Sequence, residues 1–348
     1  MERSLKLCMA GFGAVGQRFC RLLQEKRTEL LQTYGFDVRL TGICTRSRGT
    51  LVDPGGLDID GVFAMEEAAH KFDHNYPGYR DCGVLDMIRQ SGADVFCELT
   101  TLSIDDGEPA TQHIETALEH GMHVITANKG PVAYHSRRLR DKAAACGKLF
   151  LYETIVLDGT PTFNLVKDTL HGNKILGIRG ILNGTSNFVL EQLEHGSDYA
   201  AAIKEAQRIQ LAEADPGMDV DGWDGAAKIC AMANILMDAG LNPKQAEIES
   251  IRNITYEDIA EARKAGCRIK YICEAKYDEE GKVKLSVKPR QVAGEDVFYN
   301  VNGTSAAITL YTDLAGELSV IQTAPTILQT AYGVYSDLIT LMKSINKS

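Results

Sequence analysis

Two lysines and a run of carboxylates are the side chains of this sequence best suited to chemistry. Asp219-Val220-Asp221-Gly222-Trp223-Asp224 leads into Ala226-Ala227-Lys228. A carboxylate four residues ahead of a lysine shares a helix face with it, so Asp224 and Lys228 should project from one side of one helix. On a surface such a pair is a solvated salt bridge worth little. The neighbours here are Ala226, Ala227, Ile229, Cys230, Ala231 and Met232, which predicts a buried helix. A buried lysine is costly unless paired, and its pKa shifts readily. Lys228 is therefore a candidate proton-transfer group, provided the rest of the chain supplies a reaction.

The N-terminal half supplies one. Leu5-Lys6-Leu7-Cys8-Met9-Ala10 reads as a buried strand, and Gln17 to Leu31 has helical periodicity. Between them lies Gly11-Phe12-Gly13-Ala14-Val15-Gly16. A glycine pattern alone is weak, but strand before and helix after make it a dinucleotide-binding turn. Gly11 permits the tight turn, Gly13 lets a pyrophosphate approach, and Gly16 lets helix and strand pack. The helix N-terminus offers N–H groups to the phosphates. At the end of the next strand (38–45) an NAD site usually carries an acid for the ribose 2′-hydroxyl. Arg46-Ser47-Arg48 stands there instead. Two cations and a hydroxyl suit a 2′-phosphate, so NADP is the expected cofactor and NAD the alternative; a merely solvated Arg46 and Arg48 would be the bland explanation.

Residues 49–82 read as a loop with one short helix (63–70). Strands at 92–99, 123–126 and 148–152 alternate with helices at 107–120 and 136–145, the pattern of a parallel, doubly wound sheet. Ligands bind beyond the carboxyl ends of such strands. Thr100, Thr101, Asn128 and Lys129 fall there, which makes Lys129 a second candidate active-site lysine. After Glu153 the character becomes α+β: helices at 162–170, 184–194, 199–211 and 224–239, strands at 175–182, within 268–287, at 306–312 and 318–322, and a final helix at 329–342. The expected division is a Rossmann-type dinucleotide domain at 1–152 and a substrate-binding and dimerisation domain at 153–328, the last helix returning to the first domain.

A length of 348 residues suits two domains. The net charge of −10 argues against a nucleic-acid surface. The start lacks a signal-peptide layout and no apolar run reaches membrane-spanning length, so a cytoplasmic protein is expected. Nine scattered cysteines without a Cys-x-x-Cys pair read as reduced, mostly buried thiols.

Taken together, the glycine turn, Thr126-Ala127-Asn128-Lys129, Gly180-Ile181-Leu182-Asn183-Gly184-Thr185-Ser186-Asn187, Ala212-Glu213-Ala214-Asp215-Pro216 and Asp219 to Lys228 resemble homoserine dehydrogenases, in that order and over nearly the whole chain. The chain looks like the short form, without a kinase or amino-acid-sensing domain. The resemblance implies NAD(P)-dependent interconversion of aspartate 4-semialdehyde and homoserine, a step of threonine and methionine biosynthesis, in a homodimer. Lys228 would exchange the proton with the substrate oxygen and Lys129 would bind or polarise the same end. Glu213 and Asp224 would hold the substrate ammonium, and Asp219 would orient the lysines. Acids ahead of a helix also serve as caps, an alternative reading of Glu213 and Asp219.

Two stretches depart from the family pattern. The family's Val-Gly-small-Gly turn reads Val156-Leu157-Asp158-Gly159 here. In some members carbonyls of this turn hold a monovalent cation such as sodium; Glu153, Val156, Asp158 and Thr160 occupy those positions. The C-terminal glycine-rich loop is replaced by Gln322 to Ala331. Asp158 motivates a rival reading, a paralogue acting on another hydroxy or amino acid. A second rival is a dinucleotide-binding sensor without turnover, against which both lysines argue.

Overall fold

Strand β1 (Arg3–Ala10) ends in four consecutive buried residues, the apolar run of a strand covered on both faces. The computed structural model describes residues 3–347. They form two units: one runs to Thr160 and resumes at Thr326, and the other is Pro161–Pro325.

In the first unit β1 passes through the glycine turn into α1 (Ala14–Glu25), and then to β2 (Phe36–Thr45), parallel to β1. After β3 (Gly49–Val52), α2 (Ile59–Ala69), β4 (Tyr79–Arg80) and α3 (Val84–Gln90), the chain crosses to β5 (Val95–Glu98) on the other side of β1. Helix α4 (Ala110–Glu119), β6 (His123–Thr126), α5 (Lys129–Ala145) and β7 (Phe150–Leu151) complete a sheet ordered β4-β3-β2-β1-β5-β6-β7. The reversal at β1/β5 is the switch point where open α/β sheets bind ligands.

Two expectations change. Residues 49–82 hold two short antiparallel strands, the second at the sheet edge, and a helix that starts at Ile59. Strands of four and two residues are too short to show an alternation. The helix expected from 136 begins at Lys129, with His135 non-helical at φ −134°. Pro131 signals a break, yet it sits in the first turn, where no intrahelical N–H is lost.

The C-terminal helix Ile327–Lys347 turns Ala331, Val334, Leu338, Leu341 and Met342 into the core around β1 and α1. Its start is fixed by Thr326, whose hydroxyl donates to Gln329 Oε1 at 2.7 Å and accepts from Leu328 N–H at 3.3 Å.

The second unit begins with α6 (Phe163–Thr169), β8 (Ile175–Ile181), α7 (Gly184–Glu194), α8 (Tyr199–Arg208), α9 (Gly217–Val220) and α10 (Trp223–Leu236). Strand β9 (Glu247–Ile248), α11 (Tyr256–Lys264), β10 (Cys267–Tyr277), β11 (Val283–Ala293), β12 (Ala306–Thr312) and β13 (Glu317–Gln322) follow. The sheet runs β13-β12-β8-β10-β11-β9, antiparallel except for β9 with β11. Helix α10 packs on β8, β10 and β11, and every residue from Ile229 to Asn234 is buried. The small residues explain the depth: a Cβ on Gly225 would stand 2.8 Å from Cys273 Sγ.

Candidate active site

The glycine turn has the geometry a pyrophosphate needs. Gly11 has φ +96°, and a Cβ there would stand 2.4 Å from the Leu99 carbonyl oxygen. A Cβ on Gly16 would meet the Gly11 carbonyl at 2.8 Å, whereas Gly13 faces open space. Phe12 points inward and is 1% exposed, with Phe63 and Phe72 rings 5.6 and 6.1 Å away. Ala14 and Val15 open α1, and Gly13 caps it without a side chain, so its first N–H groups are left for an anion.

A buried polar network lies across the switch point. Glu98, at the carboxyl end of β5, is completely buried. One oxygen accepts from Thr100 N–H at 2.9 Å and from the Thr100 hydroxyl. The other lies 2.8 Å from His113 Nδ1 on α4. Asn128, at the end of β6, donates to Thr100 Oγ1 (3.2 Å) and to the Thr101 carbonyl (3.3 Å) while its Oδ1 caps α5 through Gly130 N–H (3.0 Å). Thr100, Thr101 and Asn128 are thus brought together. Lys129 follows as the first residue of α5, half-buried, at the helix end whose dipole disfavours a cation. Glu98 and His113 had no place in the motif reading, although a carboxyl ending the apolar run Val95-Phe96-Cys97 was the signal for one.

At the far end of β2, residues 46–48 form a hairpin turn in which Thr45 Oγ1 accepts from Arg48 N–H at 2.8 Å. Arg46 and Ser47 are exposed. Arg48 is not: its Nε and Nη2 meet the two oxygens of Glu66 at 2.5 and 2.8 Å. That ion pair holds the Glu66 carboxyl below its usual range. The expected phosphate cradle therefore keeps Arg46 and Ser47 available and has Arg48 already neutralised.

The lysine cluster belongs to the second unit. Asn183 caps α7, its Oδ1 accepting from Ser186 N–H at 2.8 Å. Its amide nitrogen donates to Asp219 Oδ1 at 2.7 Å and to Asp224 Oδ2 at 3.0 Å. Lys228 Nζ is 2.9 Å from that same Asp224 oxygen and donates to the Leu182 carbonyl at 2.7 Å. The side chains of Lys228 and Asp224 are 19% and 13% exposed, so the pair is shielded yet reachable. Burial, and next the Asp224 charge, push the Asp219 carboxyl up. Asn183 lay in a motif but had no role; its place at the end of β8 is what lets one amide span both acids. Glu213 stands on an exposed loop, its carbonyl accepting from Gln207 at 3.1 Å.

The altered turn belongs to the first unit. Leu157 and Asp158 both take left-handed backbone, φ +49° and +50°, a conformation that favours glycine. The Leu157 side chain is 3% exposed, and its burial offsets that strain. The Asp158 carboxylate accepts from the Thr330 hydroxyl at 2.7 Å, and Glu153 N–H donates to Asp337 at 3.0 Å.

A glycine turn at the switch point of a doubly wound sheet, with a second sheet unit carrying a shielded lysine–carboxylate cluster, defines a dinucleotide-dependent oxidoreductase. Residues 11–153 match the NAD-binding domain of homoserine dehydrogenase and residues 161–339 match the homoserine dehydrogenase domain itself. The chain belongs to the homoserine dehydrogenase family and is an NAD(P)-dependent oxidoreductase acting on a CH–OH group. It is 33% identical to an NAD(+)-dependent homoserine dehydrogenase of Pseudomonas canavaninivorans, over 98% of this chain and 97% of that one. It is 36% identical to the homoserine dehydrogenase of Methanocaldococcus jannaschii, over 99% and 100%. The solved homoserine dehydrogenase of Thiobacillus denitrificans superposes with a TM-score of 0.84 at 26% identity, covering 100% of this chain and 75% of that one.

Proposed function

We propose that the chain interconverts L-homoserine and L-aspartate 4-semialdehyde, with Lys228 as the proton-transfer group. The observation that carries this is the Asn183–Asp219–Asp224–Lys228 cluster. The nicotinamide cofactor supplies or accepts the hydride. In the reducing direction the aldehyde carbon gains the hydride and the oxygen takes its proton from the Lys228 ammonium. In the oxidising direction the amine form of Lys228 takes the hydroxyl proton back. Asp224, fixed by Asn183, aims the ammonium. Lys129 polarises the substrate oxygen, Glu213 and Asp224 hold the substrate ammonium, and Asp219 orients the lysines. Gly11 to Gly16 hold the pyrophosphate, Arg46 and Ser47 the adenosine ribose end, and Thr100, Thr101 and Asn128 the nicotinamide end.

The Asp158 carboxylate is engaged by Thr330, so it gives little support to a different substrate. A monovalent cation at this turn would be held by the carbonyls of Glu153, Val156, Asp158 and Thr160. Within the turn, Thr160 N–H donates to the Leu157 carbonyl at 2.9 Å. Neutral oxygens suit a hard cation. A cytoplasmic homodimer belongs to the same reading; among the described residues no helix is long and apolar enough to cross a membrane. The test is cofactor reduction by purified protein with homoserine. Turnover with homoserine supports the proposal; no turnover by a folded, cofactor-binding protein defeats it.

A further inference from the structure

We propose that Glu66 is a specificity-determining residue for the cofactor: by holding Arg48, it turns the β2–β3 corner from a 2′-phosphate site into one that favours a free 2′-hydroxyl. This rests on the dinucleotide reading of the first unit.

Position comes first. The carboxyl end of β2 is where this sheet type meets the adenosine ribose, and the Thr45–Gly49 pairing places residues 46–48 at that corner. Arg48 cannot swing freely there. Its N–H is bonded to Thr45 Oγ1, its carbonyl accepts from Phe72 N–H at 2.9 Å, and its guanidinium forms a two-pronged pair with Glu66. Such a pair satisfies the guanidinium fork in one fixed plane.

Glu66 is in turn held from behind. It is 6% exposed, and Gln17 Nε2 donates to its Oε1 at 3.1 Å and to the Phe12 carbonyl at 3.0 Å. Gln17 stands on α1, directly after the glycine turn, so one amide links the pyrophosphate loop to the acid that clamps Arg48. His70 Nδ1, at the end of α2, is 3.4 Å from the same oxygen.

The electrostatic consequence has a sign. A 2′-phosphate brought to this corner meets Arg48 already neutralised and a carboxylate directly behind it. Either Arg48 leaves Glu66, stranding a buried carboxylate, or the phosphate meets an ion pair with no net positive charge to offer it; either way the corner holds a phosphate less well than a free guanidinium would. A 2′-hydroxyl incurs neither cost. The arrangement thus withdraws one of the two cations that the end of β2 would otherwise offer a 2′-phosphate.

The experiment compares NADP with NAD in the wild type and in Glu66→Gln, which keeps the shape and the contact to Gln17 but removes the charge. The expected result is a rise in the NADP/NAD ratio of kcat/KM of about tenfold, the size of one released charge-assisted contact. An unchanged or lowered ratio overturns the proposal, and so does a loss of stability alone. Binding of adenosine 2′,5′-bisphosphate and AMP to the wild type, by calorimetry, needs neither turnover nor a variant. AMP bound at least as tightly as the bisphosphate supports the clamp, and a clear preference for the bisphosphate overturns it. Because these fragments bind without homoserine, failure of the substrate assignment leaves this result standing.

Discussion

Lys228 Nζ and Asp224 Oδ2 lie 2.9 Å apart, one helical turn from each other on a buried helix, and Asn183 donates to that same carboxylate oxygen. Asp224 therefore receives the ammonium on one side and an amide on the other. Removing the lysine takes away the proton-transfer group while Asn183 still satisfies Asp224. Lys228→Met is expected to lower kcat by about 10³-fold, the size of a general acid–base contribution. Cofactor affinity, read by fluorescence titration, should stay within a factor of about two. A kcat within tenfold of wild type would remove Lys228 from the chemistry.

Asn183 does two jobs, capping α7 and bridging Asp219 to Asp224, and two substitutions separate them. Asn183→Ala loses both, and should cost about 1 kcal/mol of stability through the cap alone together with most of the activity. Asn183→Asp keeps a capping oxygen but sets a third carboxylate against the two acids. It should preserve the cap and still lower kcat/KM at neutral pH. Denaturant titration and steady-state kinetics on the same samples check both; equal activity in Asn183→Asp and wild type would reduce Asn183 to a cap.

The Asp219 carboxyl is pushed above its ordinary value of 3.8, first by burial and next by Asp224. A raised acid pKa means the folded protein keeps a proton that the unfolded chain has released. Stability from this group is therefore present below 3.8 and is lost as pH rises through the folded-state value. Asp219→Asn removes the effect. Its stability relative to wild type should rise as pH climbs from below 3.8 toward neutrality, measured as a difference in denaturant midpoints. A difference that is flat across that range would contradict the assignment.

Glu66 titrates with the opposite sign. Its carboxyl is held below 4.5, chiefly by the hydrogen bond from Arg48. The stability it adds is present above 4.5 and is lost as pH falls through the folded-state value. Glu66→Gln should therefore be less stable than wild type at neutral pH, with the gap closing in acid. Thermal melts across that range decide it, and a gap that widens in acid would refute the pairing.

Much of this was legible in the sequence because it was local. The glycine turn needs only three positions and its flanking strand and helix, and Asp224 with Lys228 needs only helical spacing. Helix 184–194 and strand 306–312 lie where the pattern put them. Partners far apart in the chain were not legible. Nothing in Arg46-Ser47-Arg48 announces that Glu66 will neutralise one of its cations, and no spacing rule joins Glu98 to His113. Strands β3 and β4 were hidden for another reason, since they are too short to carry a period.

The replaced C-terminal loop yields the last prediction. Just beyond that stretch, Gly333 lies close to the 153–160 turn. A Cβ on Gly333 would stand 2.5 Å from Thr154 Cβ and 3.0 Å from the Asp158 carbonyl oxygen. The Thr154 hydroxyl is committed to the Thr330 carbonyl at 2.9 Å and Asp158 to the Thr330 hydroxyl at 2.7 Å, so neither neighbour can yield easily. Gly333→Ala gains helix propensity, worth about 1 kcal/mol, but must push the helix away from the 153–160 turn. Overpacking of this kind costs about 1–3 kcal/mol, and the held partners place it at the upper end. The expected net outcome is a loss of about 2 kcal/mol in denaturant unfolding, the difference between those two estimates. Gly333→Ala with Thr154→Gly should recover most of it by clearing the nearer contact. Stabilisation by Gly333→Ala alone would show that the helix is free to shift, and that the turn and the helix do not fix each other.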